Sequence, residues 1–213
     1  MKLQELSAVT GVTVASIKYY LREGVLHPGA KKNATTAVYD DTHRARLDLI
    51  QALRQIVGAP VGEIRRLTAL IDTPAPAIDI MSAAQALGAG AQPPGEEPPD
   101  AARELVGELM SQQGWPDRPS AARRAVESLV AEMAGDGYLP SAAYLGELTR
   151  IIDELSALDL QATDVPTAKG QPGDLDRLAL RVAVGTWRHS RLLVAMLQLG
   201  HTSHSLRQLR PGD

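Results

Sequence analysis

The chain contains no cysteine, which excludes disulfide bonds, thiolate metal ligands and thiol redox sensing. It contains no phenylalanine either, and aromatic residues make up only 3% of its 213 positions. Its core must be built from Leu, Ala, Val and Ile, a set that favours helices. No apolar run reaches the ~18 residues that a membrane span requires, and Met1–Glu5 leads into a first helix without the pattern of a signal peptide. A soluble, cytoplasmic protein is expected, with no membrane partner. There is no P-loop, no dinucleotide-binding glycine pattern, no His-Glu-x-x-His and no cysteine nucleophile, so no enzyme is expected. The five histidines (His27, His43, His189, His201, His204) are scattered. Only His201 and His204 share a helical face, and two ligands are too few for a metal site; neither metal nor cofactor is expected.

What is present is an apolar fraction of 44%, enough for a packed core. The net charge of −3 conceals a division. Residues 1–72 hold ten Lys/Arg against seven Asp/Glu, whereas 73–213 hold twelve against eighteen. A basic first third on an acidic body suits nucleic-acid binding confined to one module.

Residues 7–26, SAVTGVTVASIKYYLREGVL, read as two short helices joined at Gly11. Thr13 suits an N-cap, since its hydroxyl can accept from a free amide of the first turn. Val14, Ile17 and Leu21 recur at helical spacing and form the inward face. Ser16, Tyr19, Tyr20 and Glu23 are expected on the front, flanked by Lys18 and Arg22, and Gly24 is expected to stop the helix. An apolar back with hydroxyls, tyrosines and cations in front is what a major-groove reader requires.

The segment ASIKYYLREGVL resembles the recognition helix of MerR-type regulators, in which a Thr-Ile-Arg-Tyr-Tyr core precedes a Gly-Leu stop. Ser16 stands for the threonine and Lys18 for the arginine. Lysine offers a point charge where arginine offers a planar fork. The resemblance covers about residues 1–72 and implies a winged helix-turn-helix whose DNA-binding residues are Thr13, Ser16, Lys18, Tyr19, Tyr20, Arg22, Lys31, Lys32, Asn33, Thr35 and Tyr39. It implies a homodimer on a palindromic promoter site, with RNA polymerase as an indirect partner.

Downstream of that helix, Pro28 and Gly29 break the chain and Lys31, Lys32 and Asn33 make a basic tip. Thr35–Tyr39 has strand-forming residues. A small β-hairpin wing fits, its lysines neutralising phosphates; a solvated charged loop is the plainer alternative. The first helix, 2–10, should point Leu3, Leu6 and Val9 inward. A third helix is expected over 41–57, capped by Asp41 or Thr42, and a fourth over 61–72. His43, Arg44 and Arg54 are candidates for phosphate contacts or merely solvated.

A Pro/Ala joint at 73–77, a short apolar segment at 78–87 and a Pro/Gly-rich linker carry the chain to residue 100. MerR-type dimers usually pair through a long helix at this point; here the linker leaves about 78–90 for it. Residues 101–213 read as an all-α domain with helices near 101–113, 120–134, 141–160 and 174–198. The last becomes apolar nearly all round at Leu192–Leu199, which requires burial inside its domain or against a partner. The helices 141–160 and 174–199 are the expected dimer contact. Trp115, Tyr138, Tyr144, Trp187 and Met196 could wall a ligand pocket or simply pack between helices.

The expected fold is therefore mainly α, with a DNA-binding domain at 1–72, a short helix and linker at 73–100, and a helical effector and dimerisation domain at 101–213. The expected function is transcriptional regulation on double-stranded DNA, controlled by a small hydrophobic ligand. The competing reading is an architectural or developmental DNA binder whose C-terminal domain docks a protein.

Overall fold

Gly11 takes φ 70°, a left-handed conformation that ends α1 (Leu3–Thr10) and lets its amide donate to the Ser7 carbonyl. The chain then re-enters helix at Thr13, which caps α2 (Val14–Arg22). The structure is a computed structural model that describes residues 1–31, 37–90, 97–162 and 170–208. A two-stranded antiparallel hairpin follows, β1 (Ala30–Lys31) with β2 (Ala37–Val38), in the register Ala30 to Val38 and Lys31 to Ala37. The chain's start closes the base of this hairpin. The Met1 ammonium donates to the Tyr39 carbonyl at 2.6 Å, and the Tyr39 amide donates back to Met1 at 2.8 Å.

Next comes α3 (Asp41–Ala52), which continues through a π-helical turn at Leu53–Val57. The Leu53 carbonyl there receives the amides of both Gly58 and Ala59. The cap of α3 is Asp40, one residue before the two candidates read from the sequence. Its carboxylate accepts from the Thr42 and His43 amides. After α4 (Val61–Ile71) and α5 (Ala77–Gly88), the described chain resumes in α6 (Asp100–Gln112), α7 (Ala121–Gly135), α8 (Ala142–Ala162) and the 35-residue α9 (Asp174–Gln208). A mainly α fold with a small hairpin wing is observed. The last helix runs some ten residues further than its apolar pattern suggests.

Two compact units divide the chain: residues 1–90 together with 170–213, and 91–169. In the first, Leu6, Ile17, Leu26, Leu47, Ile50, Leu53 and Ile64 are fully enclosed, or nearly so, and form the centre of the core. Val9 is not part of it; half its surface is open, so only Leu3 and Leu6 of the first helix face inward. The sequence-based boundaries grouped the last helix with the second domain, whereas its first half packs on the first unit. Ile80, Ala84 and Gly88 of α5 meet Ala179 and Ala183 of α9. Small residues allow close approach: a β-carbon on Gly88 would lie within 3.1 Å of the Ala183 backbone. A buried ion-pair network locks the same junction. The Arg46 guanidinium donates to Asp176 of α9, to both carboxylate oxygens of Asp72 (2.6 and 3.2 Å) and to the Val25 carbonyl at 3.4 Å. Burial opposes the charge on Arg46, but hydrogen bonds with Asp72 and the Asp176 carboxylate outweigh it and hold the pKa above its usual value. Burial pushes the Asp176 carboxyl up.

The second unit is smaller. Ala102, Val106 and Val130 form its core, with Leu105, Met110, Ala131 and Leu139 around them. Ser120 caps α7 as its sequence suggests, accepting from the Arg123 amide. The indole of Trp115 donates to Asp153 at 2.6 Å and so ties the end of α6 to α8.

Candidate nucleic-acid interface

Ile17 is fully buried beneath α2, with Val12 and the Val25–Leu26 pair closing the space around it. This anchor sets the rotation of the helix and therefore which side chains face solvent. Thr13 is exposed at the N-cap; its hydroxyl accepts from the Ser16 amide at 3.1 Å and bonds the Ser16 hydroxyl at 2.9 Å. The open side of the helix carries Lys18 and Arg22, both exposed, with Tyr19 half-buried between them. Arg22 lies over the Tyr19 ring, 5.6 Å from its centroid, a cation–π contact that holds the guanidinium forward.

The front of the helix is thus rotated from the one read off the sequence. The cations stand on the open side instead of its flanks. Tyr20 leans the other way and packs against the core, its ring 5.6 Å from that of Tyr19. Glu23 is half-covered and faces Arg65 of α4 at 3.9 Å. The surface offered to a partner therefore holds two cations, a phenol edge and the hydroxyls of Thr13 and Ser16, with Glu23 turned aside. Donors of this kind are what phosphates and acceptor-rich base edges require.

Lys31 extends the surface from β1 and is exposed. Lys32, Asn33 and Thr35 lie outside the described residues. Tyr39 does not belong to the surface: it is only 6% exposed, and its ring makes an edge contact with His43 at 5.0 Å. Tyr39 lies just past the end of β2, at the root of the wing, and packs into the core. His43 is likewise buried, while Arg44 and Arg54 remain exposed.

Where the recognition helix, the wing and α3 meet, His27, Thr42, Asp40 and His43 form one hydrogen-bonded chain. His27 Nε2 bonds Thr42 Oγ1 at 2.9 Å, the Thr42 hydroxyl donates to Asp40 at 2.5 Å, and His43 Nδ1 meets the same carboxylate at 2.8 Å. The Thr42 hydroxyl, followed by the His43 hydrogen bond, holds the Asp40 carboxyl well below the usual carboxylate range despite some burial. His27 is shifted down by burial first, then by electrostatic repulsion from the His43 and Arg46 side chains. The donor atoms of His27, Asp40 and His43 lie within 4.8 Å of one another. The Thr42 hydroxyl links His27 to Asp40, and Asp40 in turn holds His43 Nδ1, so the cluster ties His27 to the cap of α3.

The five residues considered for a ligand pocket are divided between the two units. Trp115, Tyr138 and Tyr144 belong to the second unit, Trp187 and Met196 to the first. Tyr138, Tyr144 and Met196 are exposed, and Trp187 is half-buried with Arg191 over its ring at 4.9 Å. The sequence reading missed Arg46 and its partners Asp72 and Asp176. Arg46 stands four residues before Ile50 and seven before Leu53, on the inward register of α3, and that position was a usable signal for a buried cation.

The family model for MerR HTH family regulatory proteins matches residues 1–70. The chain is also similar over its whole length to SCO5550 of Streptomyces coelicolor A3(2), a presumed transcriptional regulator with a solved crystal structure. Identity is 26%, the TM-score is 0.62, and both chains are covered completely. No curated protein shows a significant match. A Thr-capped helix on an Ile17 anchor and a lysine-bearing hairpin beside it lie within residues 1–70, the stretch that is similar to the MerR helix-turn-helix family.

Proposed function

We propose that the chain regulates transcription as a homodimer, placing one α2 in each half of a palindromic promoter site and acting on RNA polymerase through the geometry of the bound DNA. The observation that carries this reading is the open face of α2, where Lys18, Tyr19 and Arg22 stand together above a fully buried Ile17. Lys31, exposed on the adjoining hairpin, supports a second line of phosphate contact. Among the described residues no helix is long and apolar enough to cross a membrane, which agrees with a cytoplasmic site of action.

Control by a small apolar ligand is the finer part of the proposal, and it falls to the second unit. Its support is a core of only three small or medium side chains in a unit that also holds a half-buried Trp115, which leaves little packing to be displaced. A ligand there acts only through different affinities for two dimer geometries.

Replacing Lys31 and Lys32 with alanine tests the wing. Affinity should fall alike for cognate and unrelated duplexes, and the slope of log affinity against log salt should flatten by about one per lost phosphate contact. A parental slope in the double variant would remove the wing from the interface.

A further inference from the structure

Two helices expose apolar seams of the same length and spacing. On α8 the seam is Tyr144, Leu148, Ile151, Leu155 and Leu158; on α9 it is Leu192, Met196, Leu199, Ser203 and Leu206. Both follow the 4-3-4-3 spacing that keeps one stripe of a helix against a neighbour over four turns. All the large members except Leu155 are widely open: Tyr144 58%, Ile151 47% and Leu158 60% on one helix, Leu192 54%, Met196 59% and Leu199 68% on the other. Exposed apolar area of this extent marks an interaction surface.

Charge decides what covers each seam. From Gly185 to Gln208, α9 carries Arg188, Arg191 and Arg207 and no carboxylate. Along α8 stand Glu147, Asp153, Glu154 and Asp159 against the single Arg150. Pairing α9 with a second α9 would oppose arginine to arginine, and pairing α8 with α8 would oppose carboxylates; one of each brings opposite signs to the seam's edges. The helix that other MerR-type chains use for dimerisation is not open here, because α5 buries Ile80, Ala84 and Gly88 against α9 of its own chain.

We infer that the distal half of α9 docks on α8 of a second copy of the chain, and that the exchange is reciprocal, giving two equivalent helix pairs per dimer. The inference rests on the homodimer proposed above and names its contact. Reciprocal pairing is the isologous arrangement a two-fold dimer requires. It also joins the DNA-reading unit of one copy to the second unit of the other.

The absence of cysteine makes the test direct. Chains bearing Ile151→Cys and chains bearing Leu199→Cys, each with a different tag, are co-expressed and oxidised. The expected product is a mixed disulfide between the two tags, with light scattering giving the mass of two chains before oxidation. A dimer that yields only like-with-like products would overturn the pairing and leave the homodimer standing. A bond formed only within chains carrying both substitutions would show that α9 folds back on its own α8, and would also overturn it. A parental chain that is monomeric at micromolar concentration would remove the homodimer and the inference together. As a second readout, Arg191→Glu with Arg207→Glu should weaken the dimer at least tenfold while leaving the helical signal intact; unchanged association would refute the charge argument.

Discussion

Asp176 is 4% exposed and Arg46 1%, so breaking their ion pair has a calculable signature. Replacing Asp176 with leucine leaves a buried guanidinium with Asp72 and the Val25 carbonyl but no partner on α9. Replacing Arg46 with methionine strands the Asp176 carboxylate among apolar neighbours. Removing one member of a buried pair costs roughly 3–5 kcal/mol, whereas apolar replacement of both is often close to neutral. The Asp72 side chain is about half open to water and can be rehydrated when its donor is lost, so it adds little to the double variant. The single variants should each lose ~3 kcal/mol or more, and the pair should show a coupling of at least ~2 kcal/mol. The assay is urea unfolding of the full chain in a Trp115→Phe background. There Trp187, on α9, is the only indole and reports the first unit alone. An Arg46→Met chain within ~1 kcal/mol of its parent, or a double variant that loses the sum of the singles, would refute the claim that this pair clamps α9 to the reader.

Gly88→Ala should destabilise the same junction by about 1–3 kcal/mol, because the new methyl collides with the Ala183 carbonyl; Gly185→Ala, with nothing within 4 Å, should be neutral or slightly stabilising in the same Trp187 assay. Because the His27 pKa is lowered from the usual 6.5, folded chains bind fewer protons than unfolded ones. Its contribution is complete above that value and is lost as pH falls below it, so urea midpoints should drop between pH 8 and pH 5, and drop less in His27→Asn. Thr13→Ala removes the cap of α2 and should cost about 0.5–2 kcal/mol, read as a lower unfolding midpoint together with weaker DNA binding.

The helix-turn-helix was legible because local chemistry fixes it. Gly11, the Thr13 cap and the Val14–Ile17–Leu21 spacing act within one or two turns, and the structure keeps all three. The rotation of α2 was less legible. A helical wheel places Tyr20 and Glu23 near the front, but Tyr20 follows the core and Glu23 faces Arg65, contacts made by residues distant in sequence. Tyr39 misled for the same reason, since strand-forming character does not say whether a residue just past a two-residue strand turns into the core. The position of α9 was beyond local reading altogether. Its partners Arg46 and Gly88 lie about a hundred residues or more upstream, and only the alanines at 179 and 183 hinted at close packing. The five residues read as pocket walls divide between the two units, because scarcity of large rings carries no information about which unit each one joins.

The first unit is discontinuous in the chain: 1–90 is completed by 170–208, and Arg46 waits for a carboxylate 130 residues downstream. During synthesis at the ribosome, the reader helix and its hairpin emerge early, but Ile80, Ala84 and the Arg46 guanidinium have no cover until α9 leaves the tunnel. Closing so long a loop is a late and entropically costly event, and domains built without such closures fold as they emerge. A nascent or truncated chain ending before residue 174 therefore leaves Ile80 and Ala84 without their α9 cover and Arg46 with Asp72 but without Asp176. The first unit therefore completes its core only once the final helix has been synthesised.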